Sequence, residues 1–104
     1  MLPKRRRLSA EEVREVLARG RGRRGEVLSL KTLATEGPFA CAVVVSKKVA
    51  KSAVKRNALR RAVYRQLAKG PLPSRGHAIL FVLSAPAQAP SEAFARDITQ
   101  LLHV

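Results

Sequence analysis

Cysteine, tryptophan and acidic residues are scarce in this sequence. Its 104 residues include one Cys, no Trp and seven Asp or Glu. Because Cys41 has no second cysteine to pair with, an internal disulfide is excluded, which is compatible with a reducing compartment. No apolar run approaches the roughly 18 residues of a membrane-spanning helix. The basic start, 1–7, has no apolar segment behind it of the kind that a secretory signal peptide requires. We therefore expect a cytoplasmic protein with no membrane partner.

The acidic residues are also unevenly placed, because none lies between Glu36 and Glu92. Within that interval, residues 46–69 carry nine lysines and arginines. Basic helices usually carry acids three or four residues from their cations, and here that compensation is missing. The formal net charge of +14 and the hydrophobic content of 46% are typical of a folded, strongly cationic domain. Such a surface is expected to face a polyanion, and nucleic acid is the leading one.

Hydrophobic spacing predicts one domain over 1–104 with the element order α-β-β-α-β-α. Residues 1–7 are expected to form a mobile basic arm, which is either a solvated terminus or an additional phosphate contact. The first helix has a capping box, in which Ser9 is the N-cap and Glu12 follows three residues later, and Gly20 is its natural end. The residues of its apolar face are Val13, Val16 and Leu17.

The Arg/Gly segment 20–25 matches the pattern of a dinucleotide-binding loop. It follows a helix and precedes a strand, so we reject that interpretation and expect either a flexible turn or a connection that contacts phosphate. Two strands follow, at about 26–35 and 39–45, and the turn at 36–38 predicts that they form a hairpin. Cys41 lies in the second strand, where we expect a buried thiol that packs as a small apolar side chain rather than a nucleophile.

A helix is predicted over about 53–68, and it is amphipathic when plotted at about 100° per residue. Its inward side is formed by Ala58, Leu59, Ala62, Val63 and Leu67. Its outward side is formed by Arg56, Asn57, Arg60, Arg61 and Tyr64. Asparagine is a poor helix former, so Asn57 at the centre of this basic face is interpreted as a functional residue rather than as a tolerated surface residue.

The last third of the chain is predicted to contain a loop, a buried strand and a helix. The loop spans 69–77 and includes His77. The continuous apolar run 78–83 is expected to be a strand buried on both faces. After a linker at 84–90, Ser91 is expected to cap the last helix. The inward residues of that helix are Phe94, Ile98, Leu101 and Leu102.

Candidate catalytic groups are sparse. His77 and His103 are far apart, and no Cys/His cluster has the spacing of a metal site. A protein-only nuclease would need converging carboxylates, but the acids lie mostly near the two terminal helices. We therefore predict a nucleic-acid-binding protein with no catalytic residue, no dedicated metal site and no small-molecule substrate. A small ribosomal protein and a chromatin-type DNA-binding protein share this charge pattern and stay open as alternatives.

Two segments carry a more specific pattern. In VVVSKKVAKSAVKRNALRR, a strand ending in Ser46, Lys47 and Lys48 leads to Arg56, Asn57, Arg60 and Arg61 on the central helix, and Arg65 continues the series. The opening segment, 7–20, has the pattern R-L-S-x-x-x-x-R-x-V-L-x-x-G. Both segments resemble the bacterial ribonuclease P protein component.

The resemblance implies an α/β two-layer sandwich like the second domain of ribosomal protein S5, with a left-handed β-α-β crossover against the right-handed norm. It also implies a protein subunit that binds ribonuclease P RNA and the 5′ leader of precursor tRNA and assists the cleavage that removes the leader. The chemistry would belong to the RNA and to Mg²⁺ ions, which would be bound mainly by the RNA and the substrate.

The resemblance further assigns residues to two sites. RNA contacts are expected at Ser46, Lys47, Lys48, Lys51, Lys55, Arg56, Asn57, Arg60, Arg61, Tyr64 and Arg65. A leader cleft between the first helix and the sheet is expected at Val13, Leu17, Leu30 and Lys31. The family usually has aromatic residues at such cleft positions, and an Arg where this chain has Ala58. Since this chain has three Phe and one Tyr, we expect its leader contacts to depend more on charge than on base stacking.

Overall fold

The computed structural model describes residues 7–69, 72–84 and 90–102. Along the chain the elements are α1 (Ala10–Arg19), β1 (Arg21–Arg24), β2 (Leu28–Pro38), β3 (Ala40–Val45), α2 (Ala53–Lys69), β4 (Arg75–Val82) and α3 (Pro90–Leu102). This mixed α/β fold confirms the predicted class, with β1 as a strand that the sequence pattern does not predict. Most of the predicted arm (1–6), residues 70–71 of the loop, residues 85–89 of the linker, and His103 lie outside the described residues.

Helix α1 begins and ends where its capping residues predict. Ser9 Oγ accepts a hydrogen bond from the backbone N–H of Glu12 at 3.3 Å, and Glu12 Oε1 accepts one from the backbone N–H of Ser9 at 2.8 Å. At the other end, the Gly20 N–H donates to the Val16 carbonyl at 2.7 Å. A Cβ atom on Gly20 would lie 2.5 Å from that carbonyl oxygen and 2.8 Å from the carbonyl oxygen of Thr32. A side chain at this position would therefore force the helix away from the sheet.

The four strands form one sheet in the order β1-β2-β4-β3. β2 pairs antiparallel with β1 and with β4, whereas β3 pairs parallel with β4. The predicted hairpin between 26–35 and 39–45 is therefore wrong, since β4 lies between those two strands. Parallel neighbours require a crossover connection, and α2 supplies it between β3 and β4. The left hand of this crossover stays a prediction.

Strand β1 lies at one edge of the sheet, and all four of its residues are exposed. The prediction of a turn or connection at 20–25 is wrong because an exposed edge strand has no apolar alternation for a pattern to detect. Its arginines charge the free edge, which disfavours pairing with another chain. Arg23 also donates a hydrogen bond to the carbonyl of Leu101 near the end of α3, at 3.4 Å.

The turn between β1 and β2 is fixed by a buried carboxylate from α3. Asp97 is 2% exposed, and its Oδ2 accepts hydrogen bonds from the backbone N–H groups of Val27 at 2.7 Å and Leu28 at 2.8 Å. The Gly25 N–H donates to the Leu28 carbonyl at 2.7 Å. A Cβ atom on Gly25 would lie 2.6 Å from Asp97 Oδ2, so the turn and the carboxylate require a glycine here.

The main core lies between one face of the sheet and a layer formed by α2 and α3, as in the predicted sandwich. From the strands and the connections beside them it takes Val27, Leu28, Leu30, Phe39, Cys41, Val43, Val45, Ala78, Leu80 and Val82. Its helix residues are Val63, Leu67, Phe94, Ile98 and Leu101. The buried Cys41 and the inward face of α3 are thereby confirmed, with Leu102 packed at the margin. Helix α3 begins at Pro90, so Ser91 lies inside the helix and its predicted role as the N-cap is wrong.

The inward face of α2 is confirmed except at one position. Val63 and Leu67 are buried, and Leu59 and Ala62 pack against the margin of the core. Ala58 is exposed, so its inward assignment is wrong. Ala58 is at the edge of the predicted inward side, where the helix surface has already turned away from the sheet.

Helix α1 packs across the opposite face of the sheet, against β2 and β4. Val16 and Ile79 are both fully buried there, so the predicted burial of β4 on both faces is confirmed at Ile79, whereas Phe81 on the same face is partly exposed. His77, which was predicted in a loop, lies in β4 instead. Its Nε2 is 3.3 Å from Glu12 Oε2, and this contact joins the start of α1 to the sheet.

Candidate nucleic-acid interface

The basic stretch begins as a turn after β3. The carbonyl of Ser46 accepts hydrogen bonds from the backbone N–H groups of Val49 at 3.1 Å and Ala50 at 3.2 Å. This folds the chain back on itself and leaves Lys47 and Lys48 exposed. The predicted Ser-Lys-Lys motif therefore lies on a surface turn from which its side chains reach solvent.

Ser52 and Arg56 join this turn to α2. Ser52 Oγ accepts a hydrogen bond from the Lys55 N–H at 3.4 Å, in the manner of an N-cap. Arg56 Nη1 donates to the carbonyl oxygens of Ala50 at 3.0 Å and Lys51 at 2.7 Å. Part of the Arg56 guanidinium thus holds the turn against the helix, so this predicted RNA contact also has a structural role.

Five side chains line a shallow pocket of about 300 Å³ on the outer side of α2, which we call the basic pocket. They belong to Arg7, Asn57, Arg60, Arg61 and Tyr64. Arg60 Nη2 donates a hydrogen bond to Asn57 Oδ1. The uncharged residue at the centre of the basic face therefore orients one of its arginines.

Arg7 reaches the basic pocket because the chain before α1 pairs with the outer edge of β3. Arg7 forms a parallel bridge with Cys41, and the Leu8 N–H donates to the Cys41 carbonyl at 3.1 Å. The Arg7 guanidinium carbon lies 5.6 Å from the centroid of the Tyr64 ring, within the range of a cation–π interaction. Sequence alone places Arg7 only in a basic arm, so its membership of the site is not predictable without the fold.

Tyr64 departs from its predicted outward position, since its side chain is half-buried against the core. Burial raises the pKa of its hydroxyl above the usual 10.0, and the nearby Cys41 thiol adds to this rise. The Val43 backbone and the charges of Arg7 and Arg60 lower this pKa and offset part of the rise. The hydroxyl therefore stays protonated at neutral pH and can donate a hydrogen bond to a phosphate oxygen.

The other predicted cations lie on the same turn and helix as the basic pocket. The exposed ones are Lys47, Lys48, Lys51, Lys55, Arg61 and Arg65. No Asp or Glu occurs between Glu36 and Glu92, so no acid within this segment neutralises them. A polyanion that binds here would release its condensed counterions, which favours association at low salt.

Of the four predicted leader-cleft residues, three lie on the α1 side of the sheet and one does not. Leu17 is 44% exposed, Val13 is half-buried, and Lys31 Nζ donates to the Leu17 carbonyl at 2.7 Å. Leu30 is 1% exposed and packs in the main core. Successive strand residues point to opposite faces, so Leu30 cannot line a cleft beside α1, and that assignment is wrong.

The sheet face beside α1 carries a row of three accessible residues that the sequence does not single out: Ser29, Phe81 and Val44. They are paired neighbours on β2, β4 and β3, and strand alternation places them on the same face as Lys31 and Ile79. Val44 is 38% exposed, and Ser29 and Phe81 are partly exposed. We call this row the open strip.

Within the described parts of the chain, no group of three or more His, Cys, Asp or Glu residues could hold a metal ion. Among the same residues, no helix combines the length and the apolar character that crossing a membrane requires. The interface instead offers guanidinium, ammonium, amide and hydroxyl groups. These are the donors that proteins use to contact phosphates, sugars and base edges.

A mixed α/β fold that exposes an uncompensated basic helix is typical of a small nucleic-acid-binding protein. The Ribonuclease P family profile matches residues 2–104, and the chain belongs to this family. It is accordingly a protein subunit of ribonuclease P, which associates with ribonuclease P RNA and acts in tRNA processing. The predicted family is thus confirmed, and the ribosomal alternative is not favoured. No curated protein matches the sequence.

Solved structures of ribonuclease P proteins share the fold. The Staphylococcus aureus protein is 16% identical with a TM-score of 0.75, and the match covers 92% of this chain and 91% of that one. A mutant of the S. aureus protein is 16% identical with a TM-score of 0.78, covering 93% and 88%. The Thermotoga maritima protein is 22% identical with a TM-score of 0.64, covering 86% and 81%.

Proposed function

We propose that α2 and the turn before it form the surface that binds ribonuclease P RNA, with the basic pocket at its centre. The basic pocket supports this role because it gathers three arginines and an oriented amide, and all of its residues except Arg7 belong to a segment without acids. The arginines neutralise phosphates, and Asn57 keeps Arg60 in the geometry that a phosphate or a base edge requires. The surrounding lysines add contacts that do not depend on RNA sequence.

The open strip and the exposed side of α1 form the second proposed surface, which binds the 5′ leader of precursor tRNA. Phe81 supports this role because it is the one aromatic residue on that face: Phe39 and Phe94 are buried in the core, and Tyr64 is on α2. One stacked base contributes about 1–3 kcal/mol. With a single ring to stack on, leader affinity depends mainly on phosphate contacts, as the composition predicts.

The chemistry in this proposal belongs to the RNA and to Mg²⁺. This ion takes oxygen ligands, and proteins usually supply them from carboxylates. The acid-free interface offers none between Glu36 and Glu92, so we assign Mg²⁺ to the RNA and the substrate. The protein positions the precursor tRNA and reduces repulsion between the phosphates of the two RNAs. No protein side chain is given a catalytic role.

A leader-length series tests the second surface. The affinity of the holoenzyme is measured for precursor tRNAs with leaders of about one to ten nucleotides. The holoenzyme is assembled with wild-type protein or with Phe81→Leu, which keeps an apolar side chain and removes the ring. The variant is expected to weaken binding by about five- to a hundredfold for long leaders, the range of one stacking contact, and to leave the shortest leader unaffected. Thr99→Ala, on the exposed side of α3, is the control.

The series separates the proposal from its rivals. Equal losses at every leader length would place Phe81 outside the leader path. If the affinity of the wild-type holoenzyme for long leaders were the same at low and high salt, the expected dominance of charge would be contradicted. Cleavage by the protein without RNA would favour a protein-only nuclease instead.

A further inference from the structure

An apolar pocket of about 550 Å³ opens at the start of α2, beside the proposed RNA surface. Its lining residues are Val49, Ala50, Lys51, Ser52, Lys55, Ala58 and Leu59. The floor is formed by Val49, Ala50 and Leu59, which are half-buried or buried, whereas the rim residues are exposed. Apolar side chains thus form the base of the pocket, and two exposed lysines, Lys51 and Lys55, line its rim.

The walls of this pocket are held in place by contacts already described. Arg56 donates to the carbonyls of Ala50 and Lys51, which fixes the turn against the helix. Ser52 caps the helix from the same side. The opposite wall is the exposed Ala58, whose methyl group leaves the pocket open. The pocket is therefore a built feature of the turn and the helix.

The chemistry of the pocket selects among possible occupants. A phosphate contact alone needs cations and gains nothing from an apolar floor. An unstacked RNA base presents a flat apolar face with phosphates on both sides, and such bases are bound between aromatic or apolar side chains. The lysines at the rim match those flanking phosphates, and the absence of Asp and Glu between Glu36 and Glu92 removes any repulsion from this segment.

We propose that this pocket binds an unpaired base of ribonuclease P RNA, while Lys51 and Lys55 contact the adjoining phosphates. The inference rests on the proposed RNA surface of α2 and adds a base contact to it. The neighbouring basic pocket then anchors the phosphate backbone further along the same helix. Together the two pockets would fix the register of the RNA strand on α2, which phosphate contacts alone leave free.

Ala58→Leu tests the inference because it narrows the pocket with a larger apolar side chain without changing the charge. The position is exposed and leucine is a good helix former, so the fold is expected to be retained. Ala68→Leu, at another exposed position of α2 outside the pocket, is the matched control. Both variants are titrated against a ribonuclease P RNA transcript over a range of salt concentrations, and their melting temperatures are compared with that of the wild type.

Ala58→Leu is expected to raise the dissociation constant about tenfold at every salt concentration, with the same salt slope as the wild type. Ala68→Leu should bind like the wild type. Lys55→Met should instead lower the slope by about 0.7 to 0.9, the value of one phosphate contact. If Ala58→Leu binds like Ala68→Leu while the wild type keeps its steep slope, the base pocket is refuted and the RNA surface stands. A wild-type affinity that is independent of salt would refute the surface itself.

Base modification locates the occupant. Transcripts are modified at about one base each, with diethyl pyrocarbonate for purines or hydrazine for pyrimidines. They are then mixed with protein and divided into bound and free fractions. Wild-type protein is expected to exclude transcripts modified at one or two unpaired positions, and Ala58→Leu should lose that discrimination. Identical interference patterns for the two proteins would contradict insertion of a base.

Discussion

The carboxylate of Asp97 joins α3 to the turn between β1 and β2. It is 2% exposed and accepts hydrogen bonds from the backbone N–H groups of Val27 and Leu28. A buried donor that loses its partner costs about 1–3 kcal/mol. Because two donors depend on the same oxygen, this residue is more important for stability than any exposed acid of the chain.

Asp97→Ala is expected to lower the free energy of unfolding by about 3 kcal/mol or more, since both N–H groups lose their acceptor. Urea unfolding followed by circular dichroism measures the change. Gln100→Ala, at an exposed position of the same helix, is the control and should change stability by about 0.5 kcal/mol or less. Equal unfolding midpoints for the two variants would show that the carboxylate does not hold the turn.

Glu12 gives the stability of α1 a defined pH dependence. The backbone N–H of Ser9, then the Ser9 side chain and the charge of His77, hold the pKa of Glu12 below its usual 4.5, and partial burial offsets some of this. A lowered folded-state pKa stabilises the protein above the unfolded pKa, and this contribution is lost as pH falls through the lowered value. Because the side chain is partly exposed, the contribution is expected to be below about 1 kcal/mol.

Glu12→Gln keeps the hydrogen-bonding shape and removes the charge. We expect it to be slightly less stable than the wild type at pH 7, with the difference beginning to shrink near pH 4.5 and disappearing as the pH falls through the lowered pKa of Glu12. Chemical unfolding at a series of pH values measures this difference. Glu11→Gln, in the same helical turn, is the matched control for the helix dipole alone. A constant difference across the pH range would contradict the assigned role of the charge.

These two acids also show what sequence can predict at the scale of a residue. The contact between Glu12 and Ser9 spans three positions, so a local pattern identifies it. Asp97 contacts backbone groups 69 and 70 positions away, and no local pattern contains that information. The pairing of Glu12 with His77 likewise depends on how α1 lies on β4.

At the scale of an element, α2 carries the proposed RNA surface. Its apolar side packs into the core, and its other side bears the basic pocket. Each neutralised phosphate contributes about 0.7 to 0.9 to the slope of log K against log salt. The number of charged contacts on α2 is therefore measurable without a structure of the complex.

Replacing Arg60 and Arg61 together by Ala is expected to reduce that slope by about 1.4 to 1.8 units, since two phosphate contacts are lost. Binding of ribonuclease P RNA over a salt series measures it. Arg96→Ala on α3, also an exposed arginine, is the charge-matched control and should leave the slope nearly unchanged. An unchanged slope for the double variant would remove these arginines from the RNA surface.

Helix α2 was predictable because 3.6-residue periodicity and charge are both encoded within it. The errors at Ala58 and Tyr64 arise at the borders between its two sides, where the angle alone does not tell whether a neighbouring element covers the residue. Tyr64 is covered, and Ala58 is not. Strand β1 was missed for a different reason, since four exposed residues carry no apolar signal.

At the scale of the whole molecule, strand order determines which side chains share a surface. The insertion of β4 between β2 and β3 brings Ser29, Phe81 and Val44 into one row. If β2 and β3 formed a hairpin, Phe81 of β4 would not lie between Ser29 and Val44. Sequence predicts the number and type of most elements, but it does not predict this order, because strand pairing depends on long-range packing. The residues of the proposed leader surface are therefore only partly predictable from sequence, whereas those of the proposed RNA surface lie on a single helix and its preceding turn, where a local pattern identifies most of them.

The central claim is that this protein assists a reaction carried out by RNA. Cleavage of a precursor tRNA by ribonuclease P RNA at low Mg²⁺, with and without this protein, tests it most directly. We expect little cleavage by the RNA alone, strong stimulation by the wild-type protein, and much less stimulation by the Arg60→Ala/Arg61→Ala variant, because fewer phosphate charges are neutralised. The protein alone should not cleave. Equal cleavage rates with and without the protein at low Mg²⁺ would contradict the claim.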